Sequence, residues 1–240
     1  MIYVCSDIHG ALNKFEKMLK KINFNDSDTM YILGDVIDRG KKPIDLLLKI
    51  MDMPNVILLM GNHEYMMLNC YMKRGYEWQL WYSNGGQVTD EQFLKLPEWE
   101  QDIVLDYLYH LPLIIPNLVV NNKTYYLAHS SFSSDPDFVA NQSIYKIKEI
   151  DIREILWSRP YPFANIINSP VYQKHKHKTL IAGHTIVSRL THNYTSKKTI
   201  FRGCGGHYIN LDCGCSSFAL GDSTGRLGCL CLDNNKEYYV

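Results

Sequence analysis

Short apolar runs closed by a polar or glycine step, each followed by apolar residues at helical spacing, fill the first seventy or so residues. Ile2 to Cys5 is rich in strand formers and stops at Ser6-Asp7. Leu12, Phe15, Leu19 and Ile22 then recur at helical spacing among lysines. Met30 to Leu33 is a second run, ended by Gly34-Asp35, and Pro43 suits the first turn of a helix bearing Ile44, Leu47, Leu48 and Met51. Val56 to Met60 is a third run, ended by Gly61-Asn62, with a helix expected over Tyr65 to Met72. Strand, helix, strand, helix, strand, helix implies parallel strands with crossovers.

Further on, the middle of the chain reads as helical, with Trp99, Ile103, Tyr107 and Leu108 forming one stripe. Strands are expected at Leu113 to Val120, Thr124 to Ala128 and Thr179 to Ala182. Phe132 to Ser143 reads as a surface loop, and the chain from Tyr208 onward as consecutive short strands with turns at Gly221 to Gly225 and Asn234-Asn235. No internal repeat or interdomain linker interrupts this pattern. It predicts one α/β domain over residues 1–240, built of two packed sheets with helices outside.

Five predicted strands end in a residue able to bind a metal: Asp7 with His9, Asp35, Asn62 with His63, His129, and His184. Alone, each fits a cap, an Asx turn or a hydrogen-bonded core histidine. Together, at strand ends of an α/β sheet where ligands gather, they point to a site. Carboxylate, imidazole and amide without thiolate suit manganese, iron or zinc in five- or six-coordinate geometry rather than a structural tetrahedral zinc. Two ions sharing a bridging carboxylate lie about 3.5–4 Å apart, can bind both sides of one phosphate, and acidify a bound water.

Composition narrows the partners. The 25 basic and 25 acidic residues cancel, so nothing marks a nucleic-acid or membrane surface. The N-terminal stretch carries no basic region ahead of its apolar run, and seven cysteines fit a reduced compartment, so a cytoplasmic location is expected. Cys213, Cys215, Cys229 and Cys231 read as small core residues on strands, neither paired nor metal-bound.

The blocks Ser6-Asp7-Ile8-His9-Gly10, Gly34-Asp35-Val36-Ile37-Asp38-Arg39-Gly40 and Gly61-Asn62-His63-Glu64 resemble the phosphoprotein phosphatase family of calcineurin-like metallophosphoesterases. The likeness is closest to its small bacterial and phage members of lambda type. Weaker blocks follow in the family's order: Asn84-Gly85-Gly86, Leu111-Pro112-Leu113-Ile114-Ile115, Ala128-His129, Trp157-Ser158-Arg159 and Gly183-His184-Thr185. The resemblance implies an αββα sandwich of two mixed sheets, and hydrolysis of phosphoserine or phosphothreonine by a hydroxide generated at two divalent ions, manganese foremost. It implies that Asp7, His9 and Asp35 hold one ion, with Asp35 bridging to a second held by Asn62, His129 and His184. It makes His63 the general acid supported by Asp38, and gives Arg39, Arg159 and Asn62 to the phosphate.

Ser6 stands where many relatives carry glycine, which changes only the approach to Asp7. His207 to Gly214 corresponds to the family's last ligand-side loop but is rich in cysteine and glycine, and the stretch between Phe132 and Trp157 matches poorly. Hydrolysis of dinucleoside polyphosphates shares every metal block and is the rival activity. A cyclic-nucleotide phosphodiesterase would usually carry a histidine where Ile186 stands. A non-catalytic scaffold on the same fold should have lost ligands, and all the expected types are present. His175 to Lys178 reads as a solvated loop, and Tyr76, Trp78, Trp81 and Tyr82 as packing under the rim of the site.

Overall fold

The computed structural model describes residues 1–73, 77–159, 170–219 and 224–240. Strands β1 (Ile2–Cys5), β2 (Thr29–Ile32) and β3 (Val56–Leu58) pair in parallel, joined by helices α1 (Leu12–Ile22) and α2 (Pro43–Met51). Asn23 ends α1 in the left-handed conformation, and Pro43 opens α2 where its missing N–H costs nothing. Two C-terminal strands, β9 (Gly228–Cys231) and β10 (Glu237–Tyr239), complete this sheet antiparallel, in the order β10-β9-β1-β2-β3.

The second sheet has the order β4-β5-β6-β8-β7. Its strands are β4 (Ile114–Val120), β5 (Lys123–Ala128), β6 (Thr179–Ala182), β7 (Phe201–Gly203) and β8 (Tyr208–Asn210). Here β5, β6 and β8 are parallel, with β4 and β7 as antiparallel edges. Strand alternation divides the apolar residues into two layers. Val4, Leu127, Ile181, Ile209 and Leu230 fill the space between the sheets. Tyr3, Cys5, Met30 and Ile32 face the other way, into the layer holding Phe15, Met18 and Ile22 of α1. Two five-stranded mixed sheets flanked by helices therefore make the expected αββα sandwich.

Several local expectations are corrected. Helix α3 spans Asn62–Lys73, so it starts at the site itself rather than at Tyr65. Helices α4 (Glu77–Ser83) and α5 (Gln87–Phe93) follow, and in α6 (Glu98–Tyr109) the inward stripe is Val104 and Leu108, while Trp99 and Ile103 are exposed. The polar stretch after Phe132 is no plain loop. Pro136–Ala140 forms the short helix α7, capped by the Asp135 side chain, with Phe132 and Val139 buried. Cys213 and Cys215 do not lie on a strand. Gly214 turns the chain at a φ of 74°, and a short helix runs from Cys215 to Ala219. His175 is buried and stacks on the Phe132 ring at 5.5 Å, so this end of the basic run is not solvated. Tyr76 and residues 221–223 of the expected turn lie outside the described residues.

Candidate metallophosphoesterase site

All five anticipated strand ends converge at the carboxyl edges of the two sheets. The chain turns so sharply there that Asp7, His9, Asp35, Asp38, Arg39 and His184 all have positive φ, between 47° and 69°. Asp and His tolerate this region better than most side chains, and such strain concentrates at functional sites. Glu64 organises the turns: its buried carboxylate accepts the N–H groups of Asp35 (2.8 Å), Val36 (2.9 Å), Ile37 (3.3 Å) and Gly61 (3.0 Å). The loops after β2 and β3 touch backbone to backbone, since a Cβ on Gly34 would meet the Gly61 Cα at 2.5 Å.

Asp35 is common to two groups of potential donors, His9–Asp35–His63 and Asp35–His129–His184. His9 Nε2 lies 3.5 Å from Asp35 Oδ2, and His129 Nε2 lies 3.4 Å from Asp35 Oδ1. The Nδ1 atoms of His9 and His129 meet the carbonyls of Ile37 (2.9 Å) and Leu33 (2.6 Å), which places the proton there and turns a lone pair toward Asp35. Asn62 Oδ1 is 2.9 Å from both His129 Nε2 and His184 Nδ1. Asp7 belongs to neither group. Its carboxylate accepts the His184 N–H at 3.0 Å and the Ser6 hydroxyl, so Ser6 does more than alter the approach to Asp7.

His63 stands in the first group, beside rather than apart from the other donors. Its Nδ1 is 2.5 Å from Asp38 Oδ2, which also accepts from the Trp81 indole at 2.8 Å, while Thr89 donates to Oδ1 at 2.5 Å. Trp81 thus positions Asp38 as well as packing under the rim. Arg39 reaches His63 Nε2 at 2.9 Å, His9 Nε2 at 3.0 Å and the Asn84 carbonyl at 3.2 Å. A pocket of about 120 Å³ opens on these groups, and Arg159, Arg189 and Asp212 also line it.

Residues 1–206 match the family model for calcineurin-like phosphoesterases. The chain belongs to that family. It is 30% identical over 191 residues to serine/threonine-protein phosphatase 2 of Salmonella typhimurium, covering 79% of this chain and 82% of that protein. It is 24% identical over 163 residues to a symmetrical bis(5'-nucleosyl)-tetraphosphatase of Salmonella paratyphi C, covering 67% of this chain and 52% of that one. Among solved structures, a putative diadenosine tetraphosphatase superposes with a TM-score of 0.64 at 17% identity, covering 100% of this chain and 92% of the other.

A metallophosphoesterase needs divalent cations, and the electrostatics of this cluster suit them. Burial pushes the carboxyl groups of Asp7 and Asp35 well above the usual range, and neighbouring acids add to it, Asp212 for Asp7 and Glu64 for Asp35. Burial also holds His9, His63 and His184 well below the usual imidazole range. Neutral imidazoles are the ligand form, and closely set buried carboxylates call for a cation among them. Sequence reasoning missed Asp212, which follows β8 as Asp7 follows β1. It is a sixth parallel strand end, legible by the rule that found the other five. Also missed were Arg189, on the short helix Val187–Thr191, and the clamping role of Glu64.

Proposed function

We propose that this phosphoesterase is a two-metal hydrolase of phosphoserine and phosphothreonine with His63 as its general acid. The observation that carries the reading is the buried His63–Asp38 pair, which opens beside Arg39 on the pocket of the Asp35-centred groups. Asp7, His9 and Asp35 would hold one ion, and Asn62, His129 and His184, with Asp35, the other. Bound there, two divalent ions, manganese in this proposal with iron or zinc as alternatives, would neutralise phosphate charge and supply an activated water.

The protein's own groups do the rest. Arg39 and Arg159 grip non-bridging phosphate oxygens through charge-assisted bonds, and the Asn62 amide helps place the phosphate. As Arg39 turns to the phosphate, it releases His63 Nε2. Asp38 accepts the hydrogen bond from Nδ1–H, so the freed Nε2 lone pair can take up a proton from solvent and pass it to the departing serine oxygen. Burial disfavours the imidazolium, so the proton once taken up is given up readily, and the Asp38 carboxylate beside Nδ1 offsets the cost of forming it. A single catalytic domain and a reducing cytoplasmic setting, which suits the seven free thiols, belong to the same proposal.

A second reading, hydrolysis of dinucleoside polyphosphates, is favoured by the tetraphosphatase relative. The two separate on kcat/KM with manganese for a phosphoserine peptide and a dinucleoside tetraphosphate. Higher efficiency on the peptide is expected, and higher efficiency on the dinucleotide would replace the first reading with the second.

A further inference from the structure

Three guanidinium groups line the pocket: Arg39, Arg159 and Arg189. All are permanently charged. Arg39 is turned inward onto His9, His63 and the Asn84 carbonyl. Arg159 and Arg189 are exposed, and among the described residues neither forms an ion pair with a carboxylate. The two lie near each other. Although its side chain reaches solvent, Arg159 is held below its ordinary range first by the protein packed around its guanidinium and next by the charge of Arg189, with Asp212 and Asp7 pulling the other way. Asp212, the nearby acid, is buried, and its Oδ1 accepts the Gly214 N–H at 2.9 Å.

One phosphoryl group does not use all this charge. Its non-bridging oxygens are already shared among the proposed ions, Arg39 and Arg159. Two neighbouring cations without a carboxylate partner repel each other, and an anion between them relieves that. Arg189 is also placed for such a role. Its helix begins three residues after His184, and the Arg189 N–H bonds the Ile186 carbonyl at 2.8 Å, which ties it to the rim of the pocket.

We propose that Arg189, beside the Arg159 that grips the scissile phosphate, provides a second anion subsite at the pocket mouth, which takes a carboxylate or phosphate carried by the substrate next to the scissile phosphoester. For a protein substrate, an inference that rests on the phosphopeptide reading, this means phosphoserine in an acidic context. In a dinucleoside polyphosphate the same chemistry would come from a neighbouring phosphate.

The test uses the full, manganese-loaded chain and two phosphoserine peptides, flanked on both sides by aspartate or by asparagine. Wild type is expected to favour the acidic peptide in kcat/KM by roughly twofold to fivefold, the scale of a solvent-accessible charge pair, and less so at high salt. Arg189→Ala should bring the ratio near one, and Arg189→Lys should keep part of it. No acidic preference in wild type, or a preference that survives Arg189→Ala, overturns the subsite. Should neither peptide turn over, the phosphopeptide reading fails by itself. The ratio of dinucleoside tetraphosphate to p-nitrophenyl phosphate then decides the subsite: a drop in Arg189→Ala supports it and an unchanged ratio refutes it.

Discussion

Between β1 and the start of α3, in about sixty residues, the first sheet sets Asp7, His9, Asp35, Asp38, Arg39, Asn62 and His63 around the pocket. The second sheet spreads His129, His184 and Asp212 over more than eighty. The first set comes on loops that brace one another through Glu64 and the Gly34–Gly61 contact. The second comes as single side chains, and the first holds two of them in place. His129 bonds the Leu33 carbonyl, both histidines meet Asn62, and the His184 N–H reaches Asp7. One sheet is a frame and the other is docked onto it, so damage to the frame should spread and damage to the docked part should stay local.

The largest effect is expected at the shared carboxylate. Asp35→Asn should lower bound manganese below two per chain and depress every phosphatase activity well beyond the ~10²-fold that loss of an outer partner typically costs. Elemental analysis beside p-nitrophenyl phosphate turnover checks this. Two tightly held ions in the variant would remove Asp35 from its bridging place.

Next comes the acid. His63→Asn should slow a phosphoserine peptide by roughly 10²–10⁴, spare p-nitrophenyl phosphate comparatively, and leave metal content near normal. Asp38→Asn should give a weaker version of the same pattern. Equal loss on both substrates, or loss of metal, would reassign His63, which stands in the first donor group, as a ligand or a structural residue.

The frame itself is tested by stability. Glu64→Ala strands several buried N–H groups at about 1–3 kcal/mol each, so denaturant unfolding of the metal-free protein should lose roughly 3 kcal/mol or more. His129→Ala should lose less than half as much. Equal losses would mean that the two sheets support the site alike.

The gentlest test is pH. Burial raises the Asp38 carboxyl from its ordinary 3.8 to about 7, against the opposing bonds from Thr89 and Trp81. The folded protein keeps that proton after the unfolded chain has released it. The group's contribution to stability is therefore complete below about pH 4 and lost as the pH rises through 7. Because the buried histidines act in the opposite sense, the Asp38 part is read as a difference: relative to metal-free Asp38→Asn, metal-free wild type should lose stability as the pH rises across that window. An unchanged slope in the variant would give the pH dependence to the other buried acids.

The same contrast explains what the sequence made legible. In the first sheet, strand, turn and ligand lie within a few residues, so apolar runs ending at Asp7, Asp35 and Asn62 announced both fold and site. His129 and His184 were readable by the same rule, and Asp212 would have been. Glu64 was quoted without its role, because one carboxylate gathering N–H groups from two separate loops is a tertiary fact with no local signature. Arg189 sits between Ser188 and Leu190 on a short helix, where nothing in the spacing says which way it faces. The inward stripe of α6 was misread because Trp99 and Ile103 are apolar yet exposed, so composition alone pointed to the wrong face.

Strand β1 has β2 on one side and β9 on the other, with Tyr3 opposite Cys231. That pairing joins residues 228 positions apart. At ~5–20 residues per second, a ribosome would deliver β9 roughly 10–50 s after β1. Throughout that interval one edge of the strand leading into Asp7 and His9 stays unpaired, an open template for neighbouring chains. Asp7 and His9 are synthesised well before β9, yet the strand that leads into them is among the last parts of the fold to be secured.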